Sequence, residues 1–125
     1  QAVNSDKAPA AIGPYYQAVT VNGMIYTSGV IPMDPATGEI VEANITAQAT
    51  RVLDSLKGLL EDAGSGMDQI VKTTCFLQDL NDFATFNEVY ASYMTGETAP
   101  ARSTVQVAKL PLGVLVEIEA VALLK

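Results

Sequence analysis

Between Thr46 and Ala63 the residues Ala49, Val52, Leu53, Leu56, Leu59, Leu60 and Ala63 recur at helical spacing, with polar residues on the other side. No other stretch constrains the fold as strongly. An amphipathic helix is stabilised chiefly by laying its apolar stripe against another apolar layer, so the rest of the chain has to supply that layer. Asn44 or Thr46 is placed to cap its start, and Gly64 to stop it.

The surrounding segments alternate as strands do. "QAVTVNGMIYTSG" sets two strand-like runs around Asn22-Gly23, a dipeptide that readily takes the positive φ angles of a tight turn, and predicts a hairpin over Gln17–Gly29. The start of the chain before it reads as irregular. "PMDPATGE" follows with Pro32, Pro35 and Gly38, and predicts a loop or a further hairpin arm. "IVKTTCFLQ" is rich in β-branched and aromatic residues and reads as a strand. Phe83, Phe86, Tyr90 and Tyr93 then form a second helical stripe, read mostly as core, with Asn81 or Asp82 as its cap. The end, "RSTVQVAKLPLGVLVEIEAVALL", reads as two long strands joined into a hairpin at Leu110 to Gly113. The expected fold class is α+β, a sandwich of two helices on one face of a mostly antiparallel sheet of about six strands. A length of 125 residues with 49% hydrophobic content suits one domain over 1–125, and no repeat or linker interrupts it.

"PARSTVQV" places Arg102 at the head of one terminal strand, and the chain has only one other arginine, Arg51. If Lys109 faces Val114 across the final hairpin, Ser103, Val105 and Val107 share a core face with Val114, Val116, Ile118, Ala120 and Ala122. The opposite face then carries Arg102, Thr104, Gln106, Glu117 and Glu119 among Leu115, Val121 and Leu123. That mixture is too apolar for open solvent and too charged for a core, and it suggests a subunit interface or a ligand wall. A structural ion pair between Arg102 and a glutamate competes with a site whose planar fork receives a carboxylate or phosphate.

Charge and composition narrow the function. Asp and Glu number 14 against 7 Lys and Arg, giving a formal net charge of -7, and the cations are spread along the chain. Nucleic acid, a polyanion bound through clustered Lys and Arg, is therefore not expected as the main partner. One cysteine, Cys75, and no histidine exclude an intrachain disulfide and argue against metal chemistry. Cys75 alternates with Val71, Thr73 and Leu77 and reads as a small buried hydrophobe. No segment suits a bilayer span, and "QAVNSDKAPAAIG" lacks the pattern of a signal peptide, so no membrane partner and a cytoplasmic location are expected.

Several long motifs in order resemble one family. They are "APAAIGPYYQAV", "TSGVIPMDPATGEIV", "VKTTCFLQDLNDFATFNEVYASY" and "PARSTVQVAKLP" followed by "VEIEAVAL", and together they run nearly end to end. The chain resembles the RidA family of reactive-intermediate (enamine/imine) deaminases. The resemblance implies a chorismate-mutase-like α+β fold and a homotrimer with its sheets inward and three intersubunit clefts. It implies hydrolysis of 2-imino acids such as 2-iminobutanoate and 2-iminopropanoate, in equilibrium with enamines, to 2-keto acids and ammonia, with no cofactor. Carried over by position, Arg102 of "PARS" meets the substrate carboxylate and Glu117 of "VEIE" the attacking water. Tyr15 of "IGPY", the Ser28-Gly29 backbone of "TSG", Thr104, and Phe86 and Asn87 of "FNEVY" complete the implied set. Many relatives have cysteine where this chain has Thr104, so no thiol role transfers there.

The residues carry that chemistry without strain. An imine is already electrophilic, so an arginine that fixes the carboxylate and a carboxylate that orients water and takes its proton suffice in principle. A sensor or partner-binding module is the competing class, since it needs Arg102 alone and would tolerate loss of Glu117. A ribonuclease or translation inhibitor is a third reading, against which the acidic charge and missing histidine stand.

Overall fold

The computed structural model describes residues 1–125. Six strands form one sheet: β1 (Ala2–Val3), β2 (Ala18–Val21), β3 (Met24–Thr27), β4 (Ile70–Leu77), β5 (Ala101–Gln106) and β6 (Val116–Leu123). Their order is β1-β2-β3-β6-β4-β5, antiparallel throughout except for the parallel pair β4 and β5. Helices α1 (Ile45–Asp62) and α2 (Phe83–Tyr93) lie together on one face. The expected α+β sandwich is therefore the fold.

Local chemistry explains the elements. Asn22 and Gly23 take φ of 51° and 76°, the doubly positive turn that matches strand twist, and close the β2–β3 hairpin. The Asn44 side chain accepts the Ala47 N–H at 2.7 Å and caps α1, while Gly64, at φ 87°, ends it in left-handed geometry. Ala49, Val52, Leu53, Leu56, Leu59 and Leu60 are fully buried in one cluster with Ile25, Leu77, Val116 and Ile118 of the sheet. The helical stripe has found its layer. The sixth strand is the two-residue β1, in the start expected to be irregular. The cap of α2 also differs: Asp82 makes no side-chain bond, and Asp79 accepts the Asn81 N–H at 2.8 Å to cap a short 3₁₀ turn ahead of the helix.

The expected terminal hairpin does not form. β5 pairs in parallel with β4, because α2 crosses between them and returns the chain to the end from which β4 began. The segment after β5 then passes through a 3₁₀ turn at Pro111–Gly113, with Leu112 at φ 57°, and delivers β6 to the other side of β4. This reverses the expected faces of β5. Thr73 pairs with Arg102 and Ala120, and Cys75 with Thr104 and Ile118, so Arg102 and Thr104 point to the helix side. Phe76 pairs with Val105 and Glu117, and Thr74 with Ser103 and Glu119, which puts those residues on the bare face. Val19, Val21, Tyr26 and Leu123 share that face, Val21 being 50% exposed. No helix is long and apolar enough to cross a membrane.

Candidate functional site

On the helix side, Arg102 sits over α2. Its guanidinium carbon lies 4.7 Å from the centre of the Tyr90 ring and 5.4 Å from that of Phe83, and one nitrogen donates to Asn87 Oδ1 at 2.7 Å. Phe83, Asn87 and Tyr90 are spaced by four and three residues, so the helix presents all three on one face. Tyr90 is held in turn by a buried bond of 2.7 Å between its hydroxyl and Thr73. The guanidinium plane is thus fixed by two aromatic faces and one amide. The chain's ion pairs are Lys7–Asp62 and Lys125–Asp68, so no carboxylate of the chain pairs with Arg102.

Beside Arg102, Thr104 Oγ1 is buried without a hydrogen-bond partner of ordinary geometry. Burial pushes the neighbouring Cys75 thiol up to about 11, outweighing the Thr73 hydroxyl, the Arg102 charge and Thr104, which favour the thiolate. The thiol is accordingly inert at neutral pH. Phe86 is fully buried, its ring 5.7 Å from that of Tyr90, and it backs the aromatic seat from within the core.

Glu117 belongs to a second cluster. It borders a pocket of about 90 Å³ lined by Ala8, Pro9, Ile12, Val30 and Met33 together with Tyr15, Ser28 and Gly29. A methyl group on Gly29 would collide with the Glu117 carboxylate, so glycine is what permits the close approach. The Ser28 N–H donates to the Gln17 carbonyl at 2.9 Å and its hydroxyl to the Tyr16 carbonyl at 2.6 Å, whereas the Gly29 N–H has no acceptor in the chain. Of that dipeptide only Gly29 offers a backbone donor. The Tyr15 phenol accepts the Ile12 N–H at 3.3 Å. Glu117 makes no hydrogen bond or ion pair, and burial, reinforced by the charge of Glu119, raises its pKa above the usual carboxylate value.

The structure therefore gathers the implied residues into two groups. Arg102, Asn87 and Thr104, backed by Phe86, occupy the helix side at the β5 edge, while Glu117, Tyr15, Ser28 and Gly29 surround the pocket around Glu117. The expectation that Arg102 and the two glutamates project from one face of one hairpin is overturned by the parallel pairing of β5. Phe83 and Tyr90, expected to be mostly core, form the seat of the guanidinium instead, and their spacing about Asn87 aligns them for it. No group of three or more His, Cys, Asp or Glu side chains is arranged to hold a metal ion.

Two helices on a six-stranded, mostly antiparallel sheet define an α+β sandwich, and the solved structures it matches are of the L-PSP/Rid type. The crystal structure of Escherichia coli TdcF with bound serine matches with a TM-score of 0.94 at 45% identity, covering 100% of this chain and 99% of that one. The family model described as Endoribonuclease L-PSP matches residues 5–124. The chain belongs to this family, the RidA family. The 2-iminobutanoate/2-iminopropanoate deaminase of Escherichia coli is 52% identical over 122 residues, covering 96% of this chain and 94% of its own. A RutC family protein of Pyrococcus abyssi is 49% identical over 122 residues, covering 98% and 95%.

Proposed function

We propose that the chain hydrolyses 2-imino acids, and the enamines in equilibrium with them, to 2-keto acids and ammonia. The observation that carries this reading is the state of Arg102: a guanidinium seated by Phe83, Tyr90 and Asn87 with no carboxylate of its own chain to meet. An arginine has five N–H donors in a rigid fork, and a planar carboxylate matches that fork. The similarity to a 2-iminobutanoate/2-iminopropanoate deaminase supports 2-iminobutanoate and 2-iminopropanoate as substrates.

In the proposed reaction Arg102 holds the carboxylate, which sets the imine carbon in the path of a water held by Glu117. Water adds to the C=N bond as one of its protons passes by way of Glu117 to nitrogen, and the resulting carbinolamine expels ammonia as its hydroxyl proton follows by way of the same carboxylate, which leaves the keto group. No cofactor enters the balance. The raised pKa of Glu117 makes it a stronger base than a free carboxylate. Thr104 Oγ1, orphaned in the chain, is a natural partner for a substrate oxygen.

Because Arg102 and Glu117 lie on opposite faces of one sheet, a small substrate reaches both only if a second copy contributes one of them. A closed homotrimer in which the β5 edge of one copy meets the Glu117 pocket of the next satisfies this, and it covers the apolar bare face. The family description names an endoribonuclease; a chain of net charge -7 without histidine is poorly suited to that chemistry.

The test couples purified threonine dehydratase to this protein and follows keto-acid release while semicarbazide traps free imine. Faster keto-acid release at the expense of the trapped product is expected. Unchanged partitioning removes the deaminase reading and leaves a carboxylate sensor.

A further inference from the structure

Gln17 lies immediately before β2, and its side chain is one of the few buried polar groups, the residue being 6% exposed. Oε1 accepts the Ser5 N–H at 2.6 Å. Nε2 donates towards the carbonyls of Pro9 at 2.8 Å, Ser5 at 3.0 Å and Ala8 at 3.1 Å. An amide nitrogen carries only two hydrogens, so three carbonyls share them and none is left for a ligand. Although Gln17 borders the Glu117 pocket, its hydrogen bonds all go to backbone.

The backbone it grips is a wall of that pocket. Ala8, Pro9 and Ala10 line it, and the chain continues to Ile12 and Tyr15, which line it as well. From Ala10 to Tyr15 the hydrogen bonds stay inside the loop, the Ile12 N–H to the Tyr15 phenol and the Tyr15 N–H to the Gly13 carbonyl. On the outer side, Ser5 and Lys7 bond to Asp62 at 2.6 and 2.7 Å, exposed contacts that hold weakly in water. The main-chain carbonyl of Gln17 meanwhile accepts the Ser28 N–H and fixes the opposite wall beside Gly29. One residue thus ties both walls together.

We propose that Gln17 is a positioning residue: its buried carboxamide clamps the Ser5–Pro9 segment and so holds the wall facing Glu117 in the shape that captures ligand. The ligand part rests on the deaminase reading, whereas the clamp is a property of the chain alone. Losing it loosens the wall and weakens capture, while Glu117 and Arg102 stay where they are.

Two variants and one control test this. Gln17→Met keeps length and apolar volume but removes every side-chain bond, and Gln17→Glu keeps the shape while setting an acceptor against three carbonyls. Asp62→Ala cuts only the outer contacts. Amide hydrogen exchange, 2-oxobutanoate binding by calorimetry, and KM and kcat with enzymatically generated 2-iminobutanoate are measured on each. Both Gln17 variants are expected to speed exchange at Ser5 to Ala10, leave Ser28 protected, and raise Kd and KM about tenfold, the scale of one or two net hydrogen bonds. Turnover should change far less than KM, and Asp62→Ala should move neither quantity.

Exchange that stays at the wild-type rate in both Gln17 variants overturns the clamp. A fall in kcat at constant KM overturns the positioning role, and an equal effect of Asp62→Ala assigns the wall to its outer anchor instead. Should the Gln17 variants not fold, the unsubstituted chain decides, because a Ser5 amide exchanging as fast as Ala11 shows that no clamp exists. Failure of the deaminase reading appears separately, as an unsubstituted chain that neither binds 2-oxobutanoate nor hydrolyses imine; the clamp then stands or falls on exchange.

Discussion

In the proposed reaction Arg102 holds the substrate and Glu117 activates water, and single substitutions separate the two roles. Arg102→Lys keeps the charge but loses the planar fork and its fit between the Phe83 and Tyr90 rings, so both 2-oxobutanoate affinity and turnover should fall. Glu117→Gln keeps the shape without the base; keto-acid binding should survive while kcat drops about 10²-fold, the lower end for a positioned base because imines already hydrolyse unaided. Calorimetry and the coupled assay check the pair, and wild-type turnover by Glu117→Gln would make the glutamate structural. Stability supplies an independent readout. Burial raises the Glu117 pKa, so the folded chain holds that proton more tightly than the unfolded one. Stability from this group is therefore present below the ordinary carboxylate pKa and lost as pH rises through the folded value. Glu117→Gln should accordingly raise the melting temperature at about pH 7 and lose that advantage near pH 4. An advantage independent of pH would mean that packing, and not charge, is responsible. The family resemblance pointed to both residues through "PARS" and "VEIE", but the aromatic seat of Arg102 was not legible, because helical spacing does not say whether a ring faces core or cation.

Among the elements, β4 is flanked by β6 and β5, and Cys75 sits fully buried at its middle, paired with Ile118 and Thr104. Cys75→Ala should lower stability by about 1–3 kcal/mol through lost packing, with any turnover by the folded protein unchanged. With the thiol pushed up to about 11, native protein should also resist alkylation at neutral pH. Thr104→Cys should leave turnover largely intact, since neither thiol is assigned as a nucleophile. Chemical denaturation and mass spectrometry after alkylation check these outcomes; rapid native labelling of Cys75 would contradict the burial argument. Both α-helices and the long strands were legible from periodicity and composition, and the hairpin turn from the Asn22-Gly23 dipeptide. The two-residue β1 was not, since two residues carry no period, and the α2 cap was displaced to Asp79 by a 3₁₀ turn that the pattern does not announce.

For the whole molecule, the separation of Arg102 from Glu117 predicts that neither works within a single chain. Light scattering should give three times the chain mass, and Val105→Asp on the bare face should yield smaller species with little activity. Arg102→Ala and Glu117→Ala, each inactive alone, should recover roughly a quarter of wild-type activity when refolded together in equal amounts, the share of random neighbours in a cyclic assembly that pair an intact arginine with an intact glutamate. No recovery on mixing would refute a shared site. The sequence by itself determined the amphipathic helix, the alternating strands and the Asn22-Gly23 turn, because each follows from local spacing and the conformational preferences of single residues, whereas the candidate site residues were pointed to by the family resemblance. It did not determine which strand lies beside which. Alternation gives a strand two faces but no neighbour, so β5 and β6 looked like a hairpin; only the α2 crossover and the packing of α1 on the sheet set β5 parallel to β4 and β6 on its other side. That long-range choice turned Arg102 towards the helices and Glu117 away from them, and so divided the expected single-hairpin site between two faces of the sheet.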